Sequence, residues 1–157
     1  MADHAELIFT GGRVHTVNAE NDVVPAIAVG GGRVLTVGSD DDVRALAGPG
    51  TRVVELKGRS LLPGFIDAHA HLAGLGMAEI AIDCKAPGMQ SIAALRMHTI
   101  NGACASFEER DKGSLERGKL ADLVILGEDL ARAPAREIRQ IPVAMTAVGG
   151  RVVYESA

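Results

Sequence analysis

Residues 61–72 read LLPGFIDAHAHL, and the architecture of the chain turns on what this stretch is. Pro63 and Gly64 bend the backbone, and the residues that follow alternate as a strand does. Phe65, Asp67, His69 and His71 fall on one face, and Ile66, Ala68, Ala70 and Leu72 on the other. Two imidazoles and a carboxylate therefore share a face. Neutral imidazole is a common ligand for zinc and similar divalent ions, and an i, i+2 pair on a rigid strand aims two nitrogens at one point.

Working outward, the text around this stretch is a short repeat. FTGGRVHTV from Phe9, VGGGRVLTVG from Val29 and VGGRVVYES from Val148 each set alternating or apolar runs on either side of a Gly-Gly pair. Glycine supplies the positive φ of a two-residue hairpin turn, so three β-hairpins are expected. Between the first two, NAENDVVP from Asn18 is rich in turn formers and leads into a new strand at Ala26. SDDDVRALAG from Ser39 has a capping start and a glycine stop, which predicts a helix of one or two turns. TRVVELKGRSLLPG then supplies a strand with a turn near Lys57-Gly58. Beyond Leu72 the period is ambiguous until SIAALRMHTINGACASFEE from Ser91, which reads as two helices interrupted near Asn101-Gly102. A turn at Arg117-Gly118, a buried strand over Leu120 to Leu126, a short helix over Pro134 to Gln140 and the third Gly-Gly hairpin complete the chain.

Composition narrows the class. A chain of 157 residues holds one domain with a real core and is too short for a large catalytic barrel. The apolar share of 47% comes from Ala, Val, Leu and Ile, with no Trp, one Tyr and three Phe, and the 19 glycines point to many tight turns and short strands. The formal net charge of −4, with mixed signs, gives no extended basic surface, so no nucleic-acid partner is expected. MADHAELIFT lacks a secretory pattern, and no run of about 18 apolar residues occurs, so no membrane partner and a cytoplasmic location are expected. Cys84 and Cys104 stand in unlike contexts without a C-x-x-C spacing and are expected to be reduced packing residues.

Several separate stretches together resemble one family, in its order: the GGRV hairpins, LLPGFIDAHAHL, TINGA from Thr99, KGSLERGKLADLVIL from Lys112 and TAVGGRVVY from Thr146. The chain is similar to the metal-dependent amidohydrolases, and within them to the branch called amidohydrolase family 3. The resemblance implies a β-sandwich assembled from both ends of the chain, with a (β/α)8 barrel inserted between them that holds one or two metals. It implies that His69 and His71 are metal ligands on the first barrel strand and that Asp67 is more a supporting residue than a ligand; apart from the resemblance, His98 is a further supporting candidate. The usual targets are C–N bonds other than peptide bonds, attacked by a metal-activated water.

The chain departs from that pattern in the middle. Only residues 72–97 separate His71 from His98, whereas a barrel of eight strand-helix units needs about 200 residues or more. At most one such unit fits. The expected fold is therefore α+β and mainly β: an amidohydrolase-type β-sandwich with a remnant first barrel strand and one or two bridging helices. Its expected divisions are residues 1–64, the first half of the sandwich; 65–98, the barrel remnant and junction; and 99–157, the second half.

A catalytic zinc usually takes three protein ligands and a structural one four. Beyond His69 and His71, the residues open as a third ligand are Asp83, Cys84 and His98, and no residue is assigned a catalytic role. His98 reads more readily as a packing or surface histidine of its helix than as a ligand, and His4 and His15 read as solvent-facing. Asp122 reads as a turn or strand-start residue. Three functions stay open: a truncated amidohydrolase-like protein not competent alone, a metal-dependent hydrolase completing its site by oligomerisation, and a metal-binding or association module without chemistry. A divalent metal such as zinc is the cofactor in question. Apolar surface at Phe65, Ile66 and Leu72, left uncovered without the barrel, makes a homo-oligomer the expected partner.

Overall fold

The computed structural model describes residues 4–66, 92–134 and 137–156. Asp67, His69, His71, Leu72, Asp83 and Cys84 lie outside the described residues. The strands are β1 (Ala5–Thr10), β2 (Arg13–His15), β3 (Val23–Val24), β4 (Ala26–Gly30), β5 (Arg33–Gly38), β6 (Ala47–Glu55), β7 (Ser60–Pro63), β8 (Leu123–Leu126), β9 (Val143–Val148) and β10 (Arg151–Glu155). Helices are few and short: α1 (Asp40–Arg44), α2 (Ile92–Met97), α3 (Ile100–Ala105) and a 3-10 turn at Ile138–Gln140.

The strands form two mixed sheets, one of order β5-β4-β1-β6 and one of order β10-β9-β8-β7-β2-β3. One apolar core joins them. Leu7, Phe9, Ile27, Val29 and Val34 from the four-stranded sheet meet Val14, Leu61, Leu123, Ile125 and Met145 from the six-stranded sheet in a single buried cluster. Strand β8 belongs to the later part of the sequence yet sits between β7 and β9, pairing Leu61 with Ile125 and Leu123 with Ala147. The six-stranded sheet thus mixes segments from before and after the bridging region.

Both sheets also carry apolar residues on their outer faces. Ile8, Ala26 and Ala28 pack under Val43 of α1, where the small alanines let the helix approach. Helix α1 starts where the sequence predicts: the Ser39 hydroxyl accepts from the backbone N–H of Asp42, and three aspartates fill its first turn near the positive end of the helix dipole. On the six-stranded sheet, Leu62, Val124 and Leu126 pack with Leu95 of α2, Leu130 and Ile141. Burial on both faces explains why LVIL is continuously apolar rather than alternating.

Two of the three Gly-Gly pairs make the predicted hairpins. Gly30 pairs with Arg33 across Gly31-Gly32, and Val148 with Arg151 across Gly149-Gly150. All four turn glycines have positive φ, between 53° and 75°, as a type I′ turn requires. The first pair does not. Gly11-Gly12 joins β1 of the four-stranded sheet to β2 of the six-stranded sheet, so it is a corner between sheets. The turn Leu56–Arg59 makes the same crossing alongside it, because β1 runs parallel to β6 and β2 parallel to β7. Backbone bonds join the two corners: Leu56 N–H to Thr10 O at 2.8 Å, Gly58 N–H to Gly11 O at 2.7 Å and Arg13 N–H to Arg59 O at 3.0 Å. A Cβ on Gly12 would lie 2.4 Å from Leu56 Cβ, so this glycine answers to close approach.

The helical pair also breaks at a different place from the expected one. Its interruption is at His98-Thr99, between α2 and α3, and Gly102 sits within α3. Thr99 has φ −132° and ψ −96°, outside helical values, and its hydroxyl donates back to Leu95 O at 2.7 Å. Gly102 is demanded by packing instead, since a Cβ there would come within 2.8 Å of Ile66 O and 2.9 Å of Ile66 Cβ.

Candidate functional site

The approach to the His-x-His segment is held by the later part of the chain. Gly64 N–H donates to Asp122 O at 2.8 Å, and Ile66 N–H donates to His98 O at 2.8 Å. Ile66 lies against Gly102 of α3 and is half-buried, contrary to the expectation of an exposed Ile66. Phe65 is 56% exposed, as expected. His98 is thereby brought beside the segment that follows β7, through its backbone carbonyl. Among the described residues, no three of His, Cys, Asp or Glu come together in a group fit to hold a metal.

Arg96 is a positioning residue that sequence reasoning missed. Its Nη1 donates to Asn18 O and to Asn21 Oδ1, both at 2.9 Å, tying α2 to a loop in which Val17 and Asn21 both take φ 57°. An arginine one turn from a helix end carries no sequence signal for such a clamp. Asp122 holds a turn, as the sequence suggests: Oδ1 accepts from Gly149 N–H at 2.7 Å. Its neighbour Ala121 accepts from Gly150 N–H at 3.0 Å and donates to Gly32 O at 3.0 Å, so the two hairpin turns meet across Ala121-Asp122. In the GSLERGK block, Lys119 Nζ bonds Glu109 O at 2.7 Å and Ser114 Oγ at 2.6 Å and pairs with Glu116 at 3.0 Å. The Ser114 hydroxyl donates to the Glu116 carboxylate, which, followed by Lys119, holds that carboxyl below its usual range.

Two residues differ from their expected settings. Cys104 is exposed rather than packed. His15 is 7% exposed, not solvent-facing: β2 lies between β7 and β3 within its sheet, and the His15 ring meets Ser60 of β7. The Ser60 hydroxyl accepts from Leu130 N–H at 2.9 Å and shares a hydrogen bond of 3.2 Å with His15 Nε2. Burial, followed by the positive charge of Arg13, holds the imidazole below its ordinary pKa, against a smaller opposing pull from Asp129. His15 is therefore a neutral, structural histidine near neutral pH.

This is a mainly β domain of two mixed sheets with few helices. Residues 89–154 match the model described as Amidohydrolase family. It is 36% identical over 92 residues to an N-substituted formamide deformylase from Arthrobacter pascens, covering 59% of this chain and 17% of that protein. It is 44% identical over 71 residues to an adenine deaminase from Paracoccus denitrificans, covering 43% of this chain and 11% of that protein. It is also similar to a metal-dependent hydrolase of known structure from Pyrococcus furiosus, at 26% identity and a TM-score of 0.38, covering 61% of this chain and 20% of that one. The chain thus spans less than a fifth of the length of the two curated relatives. Among the described residues, no helix is long and apolar enough to cross a membrane.

Proposed function

We propose that the chain is an amidohydrolase-like protein in which the β-sandwich is kept and the barrel is reduced, so that it does not hydrolyse substrate alone. The observation that carries this reading is the spacing of residues 72–97 between His71 and His98, against the roughly 200 residues of a barrel. It is supported by the seating of Ile66 on His98 and Gly102, where α3 contacts the segment that follows β7. His69 and His71, with Asp67 in support, are half of a metal site. A third ligand and a general base would have to come from elsewhere.

A second reading is favoured by the 56% exposure of Phe65 on the ligand-bearing face: two copies associate there and complete one metal-dependent hydrolase site between them. Metal analysis after dialysis separates the two. Stoichiometric zinc that disappears in the His69→Ala/His71→Ala double variant, with turnover of amide, imide or lactone substrates, replaces the first reading by the second. Zinc without turnover leaves a metal-binding module. Metal-free protein, monomeric in analytical ultracentrifugation, is the outcome expected of the first.

A further inference from the structure

A cleft of about 470 Å³ lies where the turn at Lys57–Arg59 faces the segment 127–132, away from the His-x-His approach. Four cationic side chains line it, Arg13, Lys57, Arg59 and Arg132, against two carboxylates, Glu128 and Asp129. That local excess of two positive charges stands in a chain whose formal net charge is −4.

Asp129 does not neutralise the cleft so much as arrange it. Its side chain is 13% exposed, and its oxygens meet Arg13 Nε at 3.3 Å and Arg132 Nε at 3.4 Å. It also accepts from Ala131 N–H at 3.0 Å. Both arginines are gripped at Nε, and the Arg13 contact is a charge contact whose buried N–H makes no hydrogen bond. Among the described residues, the Nη groups of Arg13 and Arg132 and the ammonium of Lys57 have no partner. Arg59 spends Nε and Nη2 on the carbonyls of Leu56 and Glu55. Glu128 is exposed, and its carboxylate is the one charge on the lining that opposes an anion without being held by an arginine.

The walls are preformed. Ser60 N–H donates to Glu128 O at 3.1 Å, and the Ser60 hydroxyl receives Leu130 N–H, so the 127–132 segment is tied to β7 beside the buried His15. On the other wall Lys57 has φ 53°, a left-handed conformation that disfavours any residue with a Cβ. Such strain concentrates where a side chain has a task. Here the strained position is also a partner-free cation.

We propose that this cleft binds a compact oxyanion, a phosphate group or a carboxylate, between the free forks of Arg13 and Arg132 and the ammonium of Lys57. Arginine forks match the paired oxygens of either group. None of Asp67, His69 and His71 is among its lining residues, and it stands whether or not those residues hold a metal.

The test is titration of the full chain with inorganic phosphate and, separately, with acetate at constant ionic strength, following the amide resonances of Lys57, Gly58 and Arg132 by NMR. A saturable shift with phosphate, with acetate or with both is expected, and the preferred anion identifies the source. Arg132→Gln and Lys57→Gly are each expected to weaken binding about tenfold, the loss of one charged hydrogen bond. Arg132 is 89% exposed and Lys57→Gly relieves the backbone, so neither variant endangers folding. Shifts no larger than those from chloride overturn the proposal, and so does binding that both variants leave unchanged.

Discussion

The pairs Gly11-Gly12 and Gly149-Gly150 stand in nearly the same text, TGGRV and VGGRV, and do different things. At Gly149-Gly150 the chain reverses within one sheet, and both residues take the left-handed conformation. A Cβ on Gly149 would meet nothing within 4 Å, so only the backbone dihedral asks for glycine. At Gly11-Gly12 the chain passes from one sheet to the other. Gly11 has φ 66°, but Gly12 is there because Leu56 and the Arg59 carbonyl occupy the space a side chain would take. One pair obeys a local rule, and the other obeys a neighbour some 44 residues away in sequence. A short motif therefore reports that glycine is needed without reporting why.

Substitution separates the two. Gly12→Ala forces Leu56 and the crossing corner apart and is expected to cost about 3 kcal/mol, as overpacking of a tight site does. Gly149→Ala meets only the dihedral penalty and is expected to cost about 1 kcal/mol. Urea denaturation midpoints of the two variants measure this, and equal losses would erase the distinction. The comparison sharpens at a third left-handed residue. Phe107 takes φ 59° at the end of α3, where its N–H donates to Cys104 O and Glu108 N–H to Ala103 O, the hydrogen bonds of a Schellman cap in which glycine is preferred. Its side chain is 91% exposed, so Phe107→Gly removes strain without losing packing. A gain of about 1 kcal/mol is expected, and a loss would show that the phenyl ring has a contact of its own.

The smallest effect concerns the sheet-crossing side of the comparison, where β2 carries His15. Its folded pKa is depressed by burial first and by Arg13 second. The unfolded chain therefore binds the proton more readily, and stability falls as pH drops below the unfolded value of about 6.5. The loss levels off once pH is below the folded pKa. Denaturation midpoints between pH 5 and 7.5 (about one unit or more on either side of that value) are expected to fall on the acid side, and His15→Gln is expected to flatten that part of the profile. An unchanged slope in the variant would assign the acid sensitivity to other groups.

Periodicity made much of the frame legible. The capping serine before α1, the apolar LVIL run, the Lys57-Gly58 turn and two hairpins all follow from nearest neighbours in sequence, and the structure has them. The first Gly-Gly pair misled because a hairpin and a sheet-crossing corner ask for the same residue. Asn101-Gly102 misled likewise, since glycine can mark a helix break or a close approach, and only the presence of Ile66 decides. The setting of His15 was hidden by alternation, because its burial comes from Ser60 and the segment that Ser60 holds through Leu130, far away in sequence. For the candidate site, the placement of His98 beside Ile66 needed the fold, while Asp67, His69 and His71 rest on the sequence.

The sequence by itself determined that this is a glycine-rich, mainly β chain with two paired histidines after PGFID and only residues 72–97 between His71 and His98. Those conclusions rest on residue type, local period and chain length, which need no partner in space. Tertiary structure alone decided that β8 lies between β7 and β9, that the two corners cross together, and that Asp129 aligns two arginines over a cleft. Each of these depends on which distant segments are brought together, and neither period nor propensity encodes that.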